Sequence, residues 1–275
     1  MWFGLYSNIV RIDCGVENLL EKYTDKFYKL LQLKRHVVGI KFFKTRTEYE
    51  AFNARELKKS IPYCVAVKSA MSGHCIKLNC LSSGCSGGNR ALGLIPATMD
   101  YFNGKRGADM GLCVNTNVAS SIAQRVPICK PDTFGIAVQP IEKFDVEPDV
   151  VLVTTNARNA MRIIQGYTYH FGVSKDLMMS GNQAVCIECT VNPLINEGFN
   201  VSMLCSGTRY NAGWHEDELM VGINYKKYST IVDGIERTVN PVESDDNKAR
   251  IEQGLKATNN LEIEVEYGKT YYKAN

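Results

Sequence analysis

Cys64-Val65-Ala66-Val67, followed past Gly73 by Cys85-Ser86-Gly87-Gly88-Asn89-Arg90 and Gly93, has a counterpart further along the chain. There Cys186-Ile187-Glu188-Cys189 is followed past Gly198 by Cys205-Ser206-Gly207-Thr208-Arg209 and Gly213. The Cys-to-Cys intervals, 21 and 19 residues, are nearly equal, and each phrase follows a strand-like run, residues 37–43 or 134–140. The repetition predicts an old duplication, with two diverged halves packed about a pseudo-two-fold axis. Such packing would turn Cys64 and Cys85 toward Cys186 and Cys205 across one central seam. Four thiolates in one place would bind a metal centre.

A chain of 275 residues can bury a sizeable core without disulfides. Its formal net charge of +3 is spread along the sequence with no basic tract, which argues against nucleic acid as a partner. No apolar run approaches the roughly 20 residues of a membrane helix, and Met1-Trp2-Phe3-Gly4-Leu5-Tyr6 has neither the charged nor the apolar region of a signal peptide. The expectation is a cytoplasmic protein that does not engage membranes. Ten cysteines are many for such a chain, and in a reducing compartment they point to metal ligation or reactive thiols. A free cysteine also serves as a small buried hydrophobe. Cys14, Cys113 and Cys129, which have no ligand-spaced neighbour, take that reading.

Helical spacing of Leu20, Tyr23, Phe27, Leu30 and Leu31 predicts an amphipathic helix over 16–34. A strand at 37–43, a helix within 47–59 and a short helix from Cys64 to Met71 follow. The Cys-, Ser- and Gly-rich stretch from Gly73 to Gly88 reads as a loop that wraps something, with a helix beginning near Ser86. A helix at 116–125, capped by Thr116 or Asn117, closes the first half. The second half opens with the strand at 134–140 and adds a strand at 149–154 and a helix over 157–169, a pair without counterpart in the first half. A strand at 200–204 delivers Cys205 into a Ser-Gly turn, Glu216-Asp217-Glu218-Leu219 begins a helix-like stretch, and a helix at 247–255 precedes a strand-prone tail. The elements predict an α/β or α+β architecture of two pseudo-symmetric halves in one compact unit. Its divisions are an N-terminal helical segment, 1–35, a first half, 36–130, a second half, 131–235, and a C-terminal tail, 236–275.

Clustered thiolates suit zinc and iron–sulfur centres. Zinc knuckles use tight spacing, matched here only in part by Cys186-x2-Cys189 and by the Cys75, Cys80, Cys85 series beside His74. Iron–sulfur clusters accept wider spacing, and the Gly-Cys-Ser-Gly-Gly and Cys-Ser-Gly loops offer backbone amides to the sulfides. Two ligand sets compete: the repeated Cys64, Cys85, Cys186 and Cys205, which we prefer, and the local Cys64, Cys75, Cys80 and Cys85. Cys75, Cys80 and Cys189 are the alternative metal ligands. Arg90 and Arg209, at matching places in the two phrases, are candidates to clamp a carboxylate or phosphate, or to form structural ion pairs. Lys68, one turn after Cys64, and His215 with Glu218 are candidates for substrate contact and proton transfer, or for solvated surface.

Gly39-Ile40-Lys41-Phe42, Cys64-x-Ala66-Val67-Lys68-x-Ala70 and Cys85-x-Gly87-Gly88-x-x-Ala91-Leu92-Gly93 resemble a prokaryotic family catalogued as domain of unknown function 169. Cys205-x-Gly207-x-Arg209 with Glu216-Asp217-Glu218-Leu219 is similar to its C-terminal motif, so the resemblance spans roughly residues 15 to 235. It implies a soluble protein of anaerobic bacteria or archaea and carries no activity with it. Cys75, Cys80 and Cys189 depart from the family pattern and leave the ligand set open. The functional expectation is an iron–sulfur protein of anaerobic metabolism with a four-iron, four-sulfur cluster, zinc being the alternative metal. The cluster would pass electrons to a redox partner protein or, held by three cysteines, act as a Lewis acid on a small molecule. The alternatives are a non-catalytic module that binds and delivers metal, cluster or cofactor, and a zinc-stapled scaffold. The absence of a Gly-x-Gly-x-x-Gly fingerprint, a P-loop and a nucleophile elbow excludes the common dinucleotide, nucleotide and serine-hydrolase chemistries.

Overall fold

The computed structural model of the chain describes residues 19–257 apart from Lys58 and Asp176. Cys14 and the strand-prone tail lie outside the described residues. Helix α1 (Leu19–Leu31) is followed by strand β1 (Val38–Phe43). Helix α2 (Arg46–Ala51) is opened by a reciprocal cap, in which Thr45 Oγ1 accepts the Glu48 N–H and the Glu48 carboxylate accepts that of Thr45. Strand β2 (Arg55–Glu56) leads to helix α3 (Tyr63–Met71), which starts directly after Pro62, and then to β3 (Ile76–Asn79). Four short helices follow: α4 (Ser86–Ala91), α5 (Met99–Phe102), α6 (Lys105–Asp109) and α7 (Thr116–Arg125), the last capped by Asn115 and not by the residues after it.

Strands β4 (Gly135–Pro140) and β5 (Val150–Thr155) precede the long helix α8 (Ala157–Phe171). A π-helix, Ala184–Val191, runs into α9 (Asn192–Asn196), β6 (Phe199–Ser202) and α10 (Ser206–Ala212). The chain then forms β7 (Leu219–Asn224), α11 (Tyr225–Arg237), α12 (Val239–Val242) and α13 (Asp245–Lys256).

The seven strands form one sheet in the order β2-β3-β4-β1-β5-β7-β6, antiparallel everywhere except between β2 and β3. Of the two expected classes the antiparallel ladder selects α+β. Period-two alternation separates two cores. On one face Val151, Val153, Val221 and Ile223 pack under α1, α8, α11 and α13 through residues such as Phe27, Ile163, Ile231 and Ile251. On the other, Val38, Ile40, Ile136, Val138, Val150 and Leu152 pack under α3, the π-helix and the segments that carry the cysteines of both phrases.

Two expectations about elements need correction. The stretch from Gly73 to Gly88 is not all loop. Ile76 and Leu78 enter the second core while the Lys77 ammonium, on the alternate side, donates to the carbonyls of Tyr49 and Phe52 at the end of α2. Residues after Glu216 form a turn, in which the Glu218 N–H donates to the His215 carbonyl, and then a strand instead of a helix. Met220 to Asn224 are buried on both faces, so the alternation that marks a strand is missing from the sequence. Gly222 is required there because the Cys189 carbonyl oxygen lies 1.8 Å from where a Cβ would sit.

Helices α8 and α11 cross at paired glycines. A Cβ on Gly234 would lie 2.1 Å from the Gly166 carbonyl oxygen, and one on Gly166 would lie 2.6 Å from that of Ile231. Gly234→Ala must therefore push the helices apart, and we expect it to cost about 2 kcal/mol or more in chemical denaturation. Gly254→Ala, whose new methyl meets only Lys29 at 3.8 Å, should instead be neutral or stabilising by up to about 1 kcal/mol. Equal effects of the two substitutions would show that the crossing is not close-packed.

Candidate metal centre

Each cysteine of the repeated phrases sits at the start of a helix on the second face of the sheet. Cys85 caps α4, and its Sγ accepts the Gly88 N–H at 3.4 Å. Cys205 caps α10, with its Sγ 3.0 Å from Thr208 Oγ1. Cys64 is the second residue of α3, and Cys186 is the third residue of the π-helix, its thiol directed at the Gln183 carbonyl at 3.5 Å. Helix starts leave N–H groups free of intrahelical partners, so electron-rich sulfur is favoured there.

The structure sets Cys64 and Cys186 each within electrostatic reach of Cys85 and Cys205. Burial pushes the Cys64 thiol up to about 12, and the next causes are Cys85 and Cys205. Burial also holds Cys186 well above the usual thiol range, followed by Cys85, Cys205 and Cys64. The Cys64 thiolate would be disfavoured by Cys205, and that of Cys186 by Cys85 and Cys64, so cysteines of the two phrases lie within electrostatic reach of one another. Among the described residues, no three His, Cys, Asp or Glu side chains are gathered tightly enough to hold a single metal ion.

Contacts across the seam fix this arrangement. Tyr63, next to Cys64, is buried with its hydroxyl 2.9 Å from Thr190 Oγ1 on the π-helix. Gln183 donates from Nε2 to the Gly87 carbonyl at 3.2 Å and accepts the Ile187 N–H, so it ties the Cys85 loop to the start of the π-helix. Gln183 and Leu204 hold φ of 54° and 66°, the left-handed region that non-glycine residues avoid at a cost of about 1–2 kcal/mol. One lies three residues before Cys186 and the other directly before Cys205. Buried Glu188 accepts hydrogen bonds from Ser180 N–H, Gly181 N–H, the Ser180 hydroxyl and the Ser202 hydroxyl, and so joins the Cys186 helix to the strand that delivers Cys205.

Among the described residues the other cysteines lie apart from the four, except Cys189, which is within electrostatic reach of Cys186. Cys75 and Cys80 flank opposite ends of β3, which at about 3.3 Å per residue sets their backbones on the order of 15 Å apart. The local set of Cys64, Cys75, Cys80 and Cys85 therefore does not converge. Cys189 is fully buried and faces the sheet, its thiol toward the Met220 carbonyl. Cys129 packs against the second core, with its thiol raised to about 11 chiefly by burial, and Cys113 lies beside Gly107 and α7.

The candidate polar residues separate likewise. Arg90 is buried, with its guanidinium carbon 3.9 Å from the centroid of the Tyr101 ring. Arg209 instead donates to the carbonyls of His215, Met203 and Glu218, and so organises the turn before β7. Lys68 bridges α3 to that turn through the Gly213 carbonyl, Glu218 and the Trp214 ring. Glu218 also pairs with Arg35, while His215 is exposed and pairs with Asp217. Gln183, Glu188, Tyr101 and Arg106 were not singled out from sequence. For the first two the available signal was their closeness to Cys186; the others stand in a segment with no recognisable motif.

The family model of DUF169, described as "Uncharacterised ArCR", matches residues 26–234. The chain belongs to this family. A curated relative in Methanocaldococcus jannaschii, itself named as an uncharacterised protein, is 22% identical over 222 residues, covering 80% of this chain and 94% of its own length. No solved structure matches. The DUF169 region contains all four seam cysteines and ends just before the close of α11. Among the described residues no helix is long and apolar enough to cross a membrane.

Because thiolate is the reactive form, the raised Cys64 and Cys186 thiols should alkylate slowly at pH 8 in folded, metal-free protein, whereas exposed Cys80 should react first. Peptide mass mapping over time checks this. Labelling of Cys64 as fast as Cys80 would mean that the seam is open to solvent.

Proposed function

We propose that this protein holds an iron–sulfur cluster of the four-iron, four-sulfur kind between Cys64, Cys85, Cys186 and Cys205, and uses it in electron transfer or in redox or Lewis-acid chemistry on a small molecule. The observation that carries the reading is the mutual electrostatic coupling of thiols from two separate cysteine phrases in a poorly solvated seam. A cluster cube spreads its ligand sulfurs more widely than the roughly 2.3 Å bonds of a single zinc ion permit. Backbone N–H groups at the starts of α4 and α10 would donate to the sulfur atoms and tune the potential. A cytoplasmic, anaerobic setting fits such a centre.

The reading includes an internal duplication. In the first half β1 pairs with β4 and β4 with β3; in the second β5 pairs with β7 and β7 with β6. The antiparallel β1–β5 pair, centred on Gly39 and Val151, joins them. Along the chain each half then runs strand, cysteine helix, strand, cysteine-capped helix, strand. On this reading β5 is the counterpart of β1, and β4 closes the first half instead of opening the second.

Anaerobically purified protein should be brown and contain about four iron and four sulfide per chain. Cys85→Ala and Cys205→Ala should each remove most of the iron from folded protein, while Cys80→Ala and Cys113→Ala leave it near wild type. Colourless protein with stoichiometric zinc, or equal iron loss from all four variants, would contradict the proposal.

A further inference from the structure

Beside the cysteines, the structure leaves a buried arginine stacked on Tyr101 but without an anionic partner among the described residues. Arg90 is only 8% exposed, its Nε has no hydrogen-bond partner, and it forms no ion pair among the described residues. A buried guanidinium without an acceptor costs several times what an exposed one does, and such groups are ordinarily paired. The ring of Tyr101 lies against that guanidinium. A second cation adds to the demand: Arg106 Nη2 donates to Ser86 Oγ at 3.0 Å, and Arg106 lies close enough to disfavour the charge on Arg90. Arg106 also lacks an ion-pair partner among the described residues.

Arg90 reaches the Gly87 end of α4, and Arg106 reaches the neighbouring Ser86. The point where a Cβ on Gly87 would sit is 3.0 Å from Gln183 Nε2, 4.0 Å from Arg90 Nη2 and 3.9 Å from Cys85 Sγ. A side chain here would press on Gln183 Nε2, which already donates to the Gly87 carbonyl, so the donor left for a ligand is the Arg90 guanidinium. A ligand that satisfies it must bring acceptor oxygens and negative charge.

We propose that the space beside Gly87 binds one oxyanion, the carboxylate or phosphate group of a small molecule, held by Arg90 and Arg106 with Tyr101 beneath the guanidinium. Gln183 and Cys85 border the bound group, so the rest of the molecule would be directed toward the cysteine seam. The site rests on the cluster reading only for the chemistry that would follow binding. Its two arginines come from different segments, α4 and the α5–α6 region, so an anion would also tie that region to the core.

Titration calorimetry with malonate and with inorganic phosphate tests the site, using anaerobically isolated protein and a metal-free sample whose fold is checked by circular dichroism. At least one of the two anions should bind saturably, and Arg106→Gln, an exposed change that leaves the core intact, should weaken binding about tenfold or more. Arg90→Lys, which keeps the charge but removes the fork, should weaken it similarly, whereas Arg125→Gln on α7 should not. No binding of either anion to the wild type, wild-type affinity in both Arg90→Lys and Arg106→Gln, or equal weakening by Arg125→Gln would overturn the proposal. Iron is counted on the same samples: binding without iron would support the anion site and remove the cluster, and iron without binding would do the reverse.

Discussion

Thiols held near one another with little access to water resist ionising together unless a cation shares the place. That constraint organises the second face of this protein. Desolvation and the neighbouring thiols both push Cys64 and Cys186 toward the neutral form. The proposed metal centre would reverse the balance, because its positive charge stabilises thiolates that water solvates poorly. The same low dielectric that makes the metal-free site unfavourable for charge would strengthen its hold on a cluster.

The rest of the fold serves to keep four helix starts aimed at that seam. The sheet supplies a rigid floor, with α1, α8, α11 and α13 closing its far face. Gly39, where β1 meets β5, admits the Phe144 ring to within 2.5 Å of where a side chain would begin, so the centre of the sheet is close-packed. Above the sheet, left-handed Gln183 is tied across segments to the Gly87 carbonyl, and left-handed Leu204 donates its N–H locally to the Ser202 hydroxyl. Strain of that kind persists only where surrounding contacts over-determine it, and both residues lie next to seam cysteines. Glu188, buried yet accepting four hydrogen bonds, fixes the relation of the second pair of cysteines.

Long periodic segments were legible from sequence. The apolar spacing of α1 and α8 and the β-branched runs of β1, β4 and β5 each fell near its observed range. Short elements buried on both sides were not: β3 hides between two cysteines, and β7 lacks alternation because both of its faces are covered. Helix α11 went unread because the preceding strand was taken for a helix. Repetition picked out Cys64, Cys85, Cys186 and Cys205, since matching positions in two phrases are hard to produce by chance. Repetition also suggested equal roles for Arg90 and Arg209, which their surroundings separate: one guanidinium is stacked on Tyr101, and the other is consumed by backbone carbonyls. Side-chain partners of that sort depend on tertiary packing and leave no local trace.

The central claim is that cysteines from the two phrases share one place. A short thiol-to-thiol cross-linker applied to metal-free folded protein, followed by peptide mapping, tests it without reference to any metal. The account predicts bridges that join Cys64 or Cys85 to Cys186 or Cys205. Bridges found only within one phrase, or only to Cys75, Cys80 or Cys113, would contradict it.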